Sequence, residues 1–136
     1  FWVPAAAPQA GEPIKVAYRT TWFGPDTTRA PGGKVVATRH DRGTLQGGHR
    51  LVVDFAGKKL GSLPADTVLE GVVTVTPVDG AEASLVEQQV QKNPHLGGWR
   101  LTMQVQTDEE GPVELRAFLR QGGDVLTETW SYIVEP

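Results

Sequence analysis

Apolar and polar residues alternate with a period of two along most of this chain. The run IKVAYRTTW (14–22) sets Ile14, Val16, Tyr18, Thr20 and Trp22 on one face and Lys15, Ala17, Arg19 and Thr21 on the other. In the same way Trp99, Leu101, Met103 and Val105 alternate with Arg100, Thr102, Gln104 and Gln106, and Val113, Leu115, Ala117 and Leu119 with Glu114, Arg116 and Arg120. Leu51, Val53 and Phe55 give RLVVDF a shorter apolar face, and residues 67–76 are strand-like through their β-branched content. Successive side chains of an extended chain point to opposite sides, so this pattern predicts strands with one face on a core and one in water. Weaker runs at KVVATRH and SLVEQQVQK, and a terminal run carrying Leu126, Trp130 and Tyr132, bring the candidates to eight. No segment carries a convincing helical period.

The turns fit that reading. Gly32-Gly33, Gly47-Gly48, Gly97-Gly98 and Gly122-Gly123 each stand one residue ahead of a strand-like run. Glycine enters positive φ at little cost, so such pairs suit hairpin turns. Their spacing is irregular, which excludes a repeat architecture. The predicted fold is all-β: an immunoglobulin-like antiparallel β-sandwich of about seven to eight strands, with a small closed barrel as the alternative. The Cys–Trp–Cys pattern of antibody domains is absent, so likeness to them is architectural. In the terminal strand, strict alternation would bury Glu128 beside Trp130. A bulge near Thr127 that turns Glu128 outward, or an arginine partner, is therefore expected.

Composition narrows the function classes. The 136 residues suit one domain, with 39% hydrophobic and 21% charged residues. Residues 1–13, FWVPAAAPQAGEP, read as a linker rich in proline and alanine, and 14–136 as the sandwich. The chain starts at Phe1-Trp2 without a basic-then-apolar leader, as expected of a processed protein or a piece of a longer one. A net charge of −3 and scattered basic residues argue against a nucleic-acid partner. No apolar run reaches the roughly 18–20 residues of a membrane span. With no cysteine there is no disulfide and no thiolate chemistry.

Catalytic signatures are scarce. There is no nucleophile elbow, no phosphate-cradling loop and no dinucleotide fingerprint. A hairpin could bring His40 and His49, with Asp41 between them, together as metal ligands, but spacing indicates no third ligand. The simpler expectation is exposed loop histidines, with His95 in a turn, and neither metal nor cofactor. Glycoside hydrolysis needs two carboxylates roughly 5–10 Å apart across the scissile bond. Most of the 16 acids fall where turns are expected, and Glu70 and Glu128 are the two read within strands. Nothing pairs them, so no catalytic residue is expected. The loop at 22–33, WFGPDTTRAPGG, suits a glycan or interdomain contact: Trp22 and Phe23 could stack on sugar, and Asp26 and Arg29 could read hydroxyls. Trp2 in the linker joins this set. The competing reading places Trp22 in the core and Phe23 on an edge.

Several segments in order, including FWVP, AYRTTW, VVATRHDRG, RLVVDFAG, LPAD, NPHLGGWRLTMQV, PVELRAFLR and DVLTETWSY, resemble the C-terminal domain of the periplasmic glucan biosynthesis protein G and D family. The resemblance implies a two-domain periplasmic protein acting on osmoregulated glucans with a β-1,2-linked backbone. A larger N-terminal β-sandwich would hold the glucan cleft and any hydrolase or transglycosylase carboxylates. This chain would be the smaller, non-catalytic immunoglobulin-like domain. Its implied partners are that N-terminal domain, β-glucan through it, and a second copy of the chain, through Phe1 and Trp2 where the larger domain is missing. Two other readings stay open: an independent immunoglobulin-like module binding a protein along a sheet edge, and a small glycan-active enzyme.

Overall fold

The computed structural model of the chain describes residues 11, 13, 15–20, 32–43, 47–78, 80–108 and 110–136. Within them, alternation becomes two layers. The first sheet contains β1 (Lys34–Arg42), β2 (Gly48–Ala56), β4 (Ala83–Asn93) and β5 (Gly98–Thr107), in the order β1-β2-β5-β4. The second contains β3 (Glu70–Pro77) and β6 (Val113–Gln121), with β7 (Asp124–Val125) and β8 (Trp130–Val134) both on the far side of β6. Every ladder is antiparallel. Leu51, Val53 and Phe55 of β2, Leu101, Met103 and Val105 of β5, and Val113, Leu115, Ala117 and Leu119 of β6 meet between the sheets, each at most 1% exposed. Burying one such large side chain contributes roughly 1.5–3 kcal/mol, so these three strands carry the core. The result is the expected all-β sandwich.

The set of eight strands differs from the expected one. Residues 15–20 join no ladder and are exposed, with Val16 at 76% and Tyr18 at 85%. Alternation makes a segment amphipathic, but only pairing with an edge makes it a strand. Ile14, Thr21 and Trp22, the rest of that segment, lie outside the described residues. At the other end the terminal strand divides into β7 and β8. Between them Thr127 is buried, its hydroxyl accepting from the Leu119 amide and donating to the Glu128 carbonyl, both at 2.9 Å.

Glu128 is turned outward, as the expected irregularity near Thr127 requires, but its partner is no arginine. Its Oε1 accepts from the Val35 amide at 2.8 Å. Next to it the Gly33 amide donates to Leu126 at 2.6 Å, and the Glu128 amide donates to Gly33 at 2.9 Å. These bonds form a parallel bridge, Gly33 to Thr127, that straps the start of β1 to the second sheet.

Three of the four glycine pairs behave as turns, with Gly47, Gly97 and Gly122 at φ of 66°, 58° and 57°. Gly32-Gly33 does not form a hairpin. It lies where the strap crosses, and a Cβ on Gly32 would run into the Leu126 carbonyl. The structure also has two short helical pieces where none was expected: α1 (Lys58–Gly61) and a 3₁₀ turn (Pro94–Leu96) that holds an exposed His95. Both are too short to show a period. Leu60 of α1 is buried, and its carbonyl accepts from Trp99 Nε1 at 3.1 Å.

Candidate functional site

The most strongly perturbed group in the described chain is Asp54, on the outward face of the first sheet. The β2–β5 register sets Arg100 opposite Asp54, and a bulge between Val35 and Ala37 brings Arg39 of β1 within reach. Oδ1 accepts from Arg100 Nε at 2.8 Å and Asn93 Nδ2 at 3.0 Å. Oδ2 accepts from Arg100 Nη2 at 2.9 Å and Arg39 Nη1 at 2.8 Å. Covered by these side chains, the carboxylate is buried although it lies on an outer face. Hydrogen bonding from Arg100, with smaller contributions from Arg39 and Asn93, outweighs the effect of burial and holds its pKa at about 2. A carboxylate with four donors and so low a pKa neither gives nor accepts a proton near neutrality. It organises the sheet and is no acid–base catalyst.

Glu70 on β3 and Glu128 in the link between β7 and β8, the two acids singled out in the sequence, are also committed. Glu70 takes two bonds from Arg120, at 2.7 and 2.8 Å, and hydrogen bonding from that guanidinium lowers its pKa. Glu128 holds the Val35 amide. Asp54 and Glu70 face outward from opposite sheets with the core between them, so they cannot flank one bond. Asp54 is a strand acid that the sequence reading did not single out; its place in RLVVDF was the available signal.

The two histidines do come together, but on strands and not in an exposed loop. His40 of β1 and His49 of β2 bond through Nε2 and Nδ1 at 2.8 Å, and His49 is 1% exposed. Tyr132 of β8 reaches His40 Nδ1 at 3.4 Å and stacks on Trp130, whose Nε1 donates to Thr38 at 2.9 Å. This cluster joins β1 to β8. Among the described residues no group of three or more potential ligands could hold a metal ion.

The remaining outward surface of the first sheet is polar and shallow. Arg50, Glu87, Gln89, Thr102 and Gln104 line a hollow of about 200 Å³, and Asp41, Arg42, Arg50 and Gln104 line one of about 360 Å³. Neither has an aromatic ring on which a sugar could stack. Trp2, Trp22, Phe23, Asp26 and Arg29, the residues singled out for glycan or interdomain contact, all lie outside the described residues. Among the described residues no helix is long and apolar enough to cross a membrane.

Comparison with known proteins places the chain. Residues 1–134 match the family model described as periplasmic glucan biosynthesis protein, MdoG. The chain is 35% identical to glucans biosynthesis protein G of Ralstonia nicotianae, over all of this chain and 28% of that protein. It is 33% identical to the protein of the same name from Dickeya dadantii and 35% to that from Pseudomonas aeruginosa, each over 97% of this chain and 27% of the relative. The chain therefore spans little more than a quarter of the length of these relatives.

Proposed function

The chain belongs to the periplasmic glucan biosynthesis protein family, and from that premise we propose that it is a non-catalytic C-terminal domain supporting a glucan-binding cleft held elsewhere in a longer periplasmic protein. The substrate class of the whole protein is osmoregulated glucan with a β-1,2-linked backbone. Any hydrolase or transglycosylase carboxylates belong to the larger N-terminal β-sandwich. One observation carries this reading: Asp54, the buried carboxylate among the described residues, and Glu70 and Glu128, the two acids singled out in the sequence, are each held by groups of the chain itself. A site for cleaving a glycosidic bond requires an acid and a second carboxylate that are free to meet the sugar.

The test is direct. Incubated with linear β-1,2-glucan, this chain releases no new reducing ends above background, and Glu128→Gln and Glu70→Gln leave that result unchanged. Turnover by the chain that Glu128→Gln abolishes would contradict the reading.

A further inference from the structure

We propose that the outer face of the second sheet, centred on Phe118, is the surface through which this domain docks on the remainder of a longer glucan biosynthesis polypeptide. The inference rests on reading the chain as one domain of such a protein, and it adds which face makes the contact.

A sandwich offers two broad outer faces, and here they differ in chemistry. On the first sheet Arg39, Arg50, Arg100, Thr102 and Gln104 point outward, with Val52 half-buried among them. Its exposed valines, Val36 and Val86, stand apart at the bulges of the two edge strands, and the centre of that face is polar and organised around Asp54. On the second sheet β6 points Arg116, Phe118 and Arg120 outward in succession. Phe118 lies opposite Val72 of β3, and both are half-buried in the chain alone. Ile133 opposite Glu114, 56% exposed, and Val125 opposite Arg120, 55% exposed, extend the apolar surface along the same face. Across from Val72, Phe118 has no ladder partner, because β7 pairing ends at Arg120 and β8 pairing begins at Ala117. There the chain leaves the regular ladder, and Leu126 and Thr127 hold Leu119 in its place.

Aromatic residues and arginine are enriched at interface centres, and this strand sets one aromatic between two arginines. Both guanidiniums are already held on the same face: Arg120 by Glu70 at 2.7 Å and Arg116 by Glu114 at 2.8 Å. Docking need not immobilise them anew, which lowers the entropic cost of association. The same pairing argues against a sugar as occupant. The charged groups are spent on each other, and Val72, Phe118, Val125 and Ile133 offer no side-chain hydrogen bonds to hydroxyls.

The size of the patch points to an occupant in the same polypeptide. Four apolar side chains, two of them already half-buried, fall well short of the roughly 1,200–2,000 Å² buried between stably associated separate chains. A tether raises the effective concentration to roughly millimolar, where a modest patch suffices. The relatives supply such a neighbour, since this chain matches only 28% of the Ralstonia protein.

The experiment uses the full-length glucans biosynthesis protein that carries this domain, with limited proteolysis at the junction ahead of residue 14. Cleavage there follows the undocked population. Phe118→Asp should accelerate it by roughly 30-fold, the loss expected for a central aromatic of an interface. Val72→Thr should act in the same direction, and Gln104→Lys on the other face should do nothing. The chain with Phe118→Asp should still unfold in one cooperative transition, at a midpoint lowered by no more than a few degrees, showing that the fold is intact. Unchanged cleavage with Phe118→Asp, or acceleration with Gln104→Lys instead, would overturn the assignment of this face. So would a dimer of the chain alone that Phe118→Asp dissolves, since the occupant would then be a second copy. None of these results bears on whether the chain is non-catalytic, which the reducing-end assay decides separately.

Discussion

Four hydrogen bonds converge on Asp54, and the consequence of removing its charge can be stated with its sign. Asp54→Asn keeps the shape but leaves two guanidiniums facing an uncharged amide. Breaking a buried pair costs roughly 3–5 kcal/mol, but Arg39 is 58% exposed and Arg100 31%, so solvent recovers part of it. We expect a loss of about 2 kcal/mol at pH 7, read from urea midpoints. The pH dependence follows from a folded-state pKa of about 2 against an ordinary value of 3.8. A depressed carboxyl stabilises the fold at pH above its unfolded value and loses that contribution as pH falls through the folded one. The gap between wild type and Asp54→Asn should therefore be constant above about pH 5 and shrink progressively between about pH 5 and 1. A gap undiminished at pH 2 would show that packing, and not charge, is what Asp54 supplies. None of this network was legible locally, because its partners lie 15, 39 and 46 residues away and only strand register brings them to one carboxylate.

At the scale of the element, the strap between β1 and the β7–β8 crossing and the hairpin turns respond differently to the same change. Gly122 has φ of 57° with nothing within 4 Å of an added Cβ, so Gly122→Ala costs only the left-handed backbone term, about 1 kcal/mol. Gly32→Ala collides with the Leu126 carbonyl and disturbs the two bonds of Gly33, to Leu126 and from Glu128, at a cost of about 3 kcal/mol. Thermal unfolding of both variants checks this, and equal losses would mean the strap bears no load. The alternation in β2, β5 and β6 was fully legible, because a strand buried on one face writes its pattern into its own residues. The segment at 15–20 carries the same pattern without a ladder, since periodicity records amphipathy and not the presence of an edge. The division of the last strand was legible only at Glu128, the one position where alternation and polarity conflict.

For the whole molecule, the two outer faces divide the work. The first sheet buries its charge under its own arginines, and the second leaves Phe118 and Val72 only half covered. Phe118 interrupts the polar phase of RAFLR, and that out-of-phase aromatic was a signal in the sequence for an outward contact. The residues expected to touch glucan, Trp22 and Phe23 among them, lie outside the described residues, and the docking contact proposed on the second sheet is separate from that loop. On the proposed reading, glucan chemistry belongs to a neighbouring domain that this chain holds in place. The decisive measurement is a calorimetric titration of linear β-1,2-glucan into three samples: this chain, a full-length relative, and that relative truncated of the matching residues. The account predicts no saturable heat with the chain alone, tight binding with the full-length protein, and weakened binding with the truncated one. Saturable binding to the chain alone, or full affinity in the truncated protein, would contradict it.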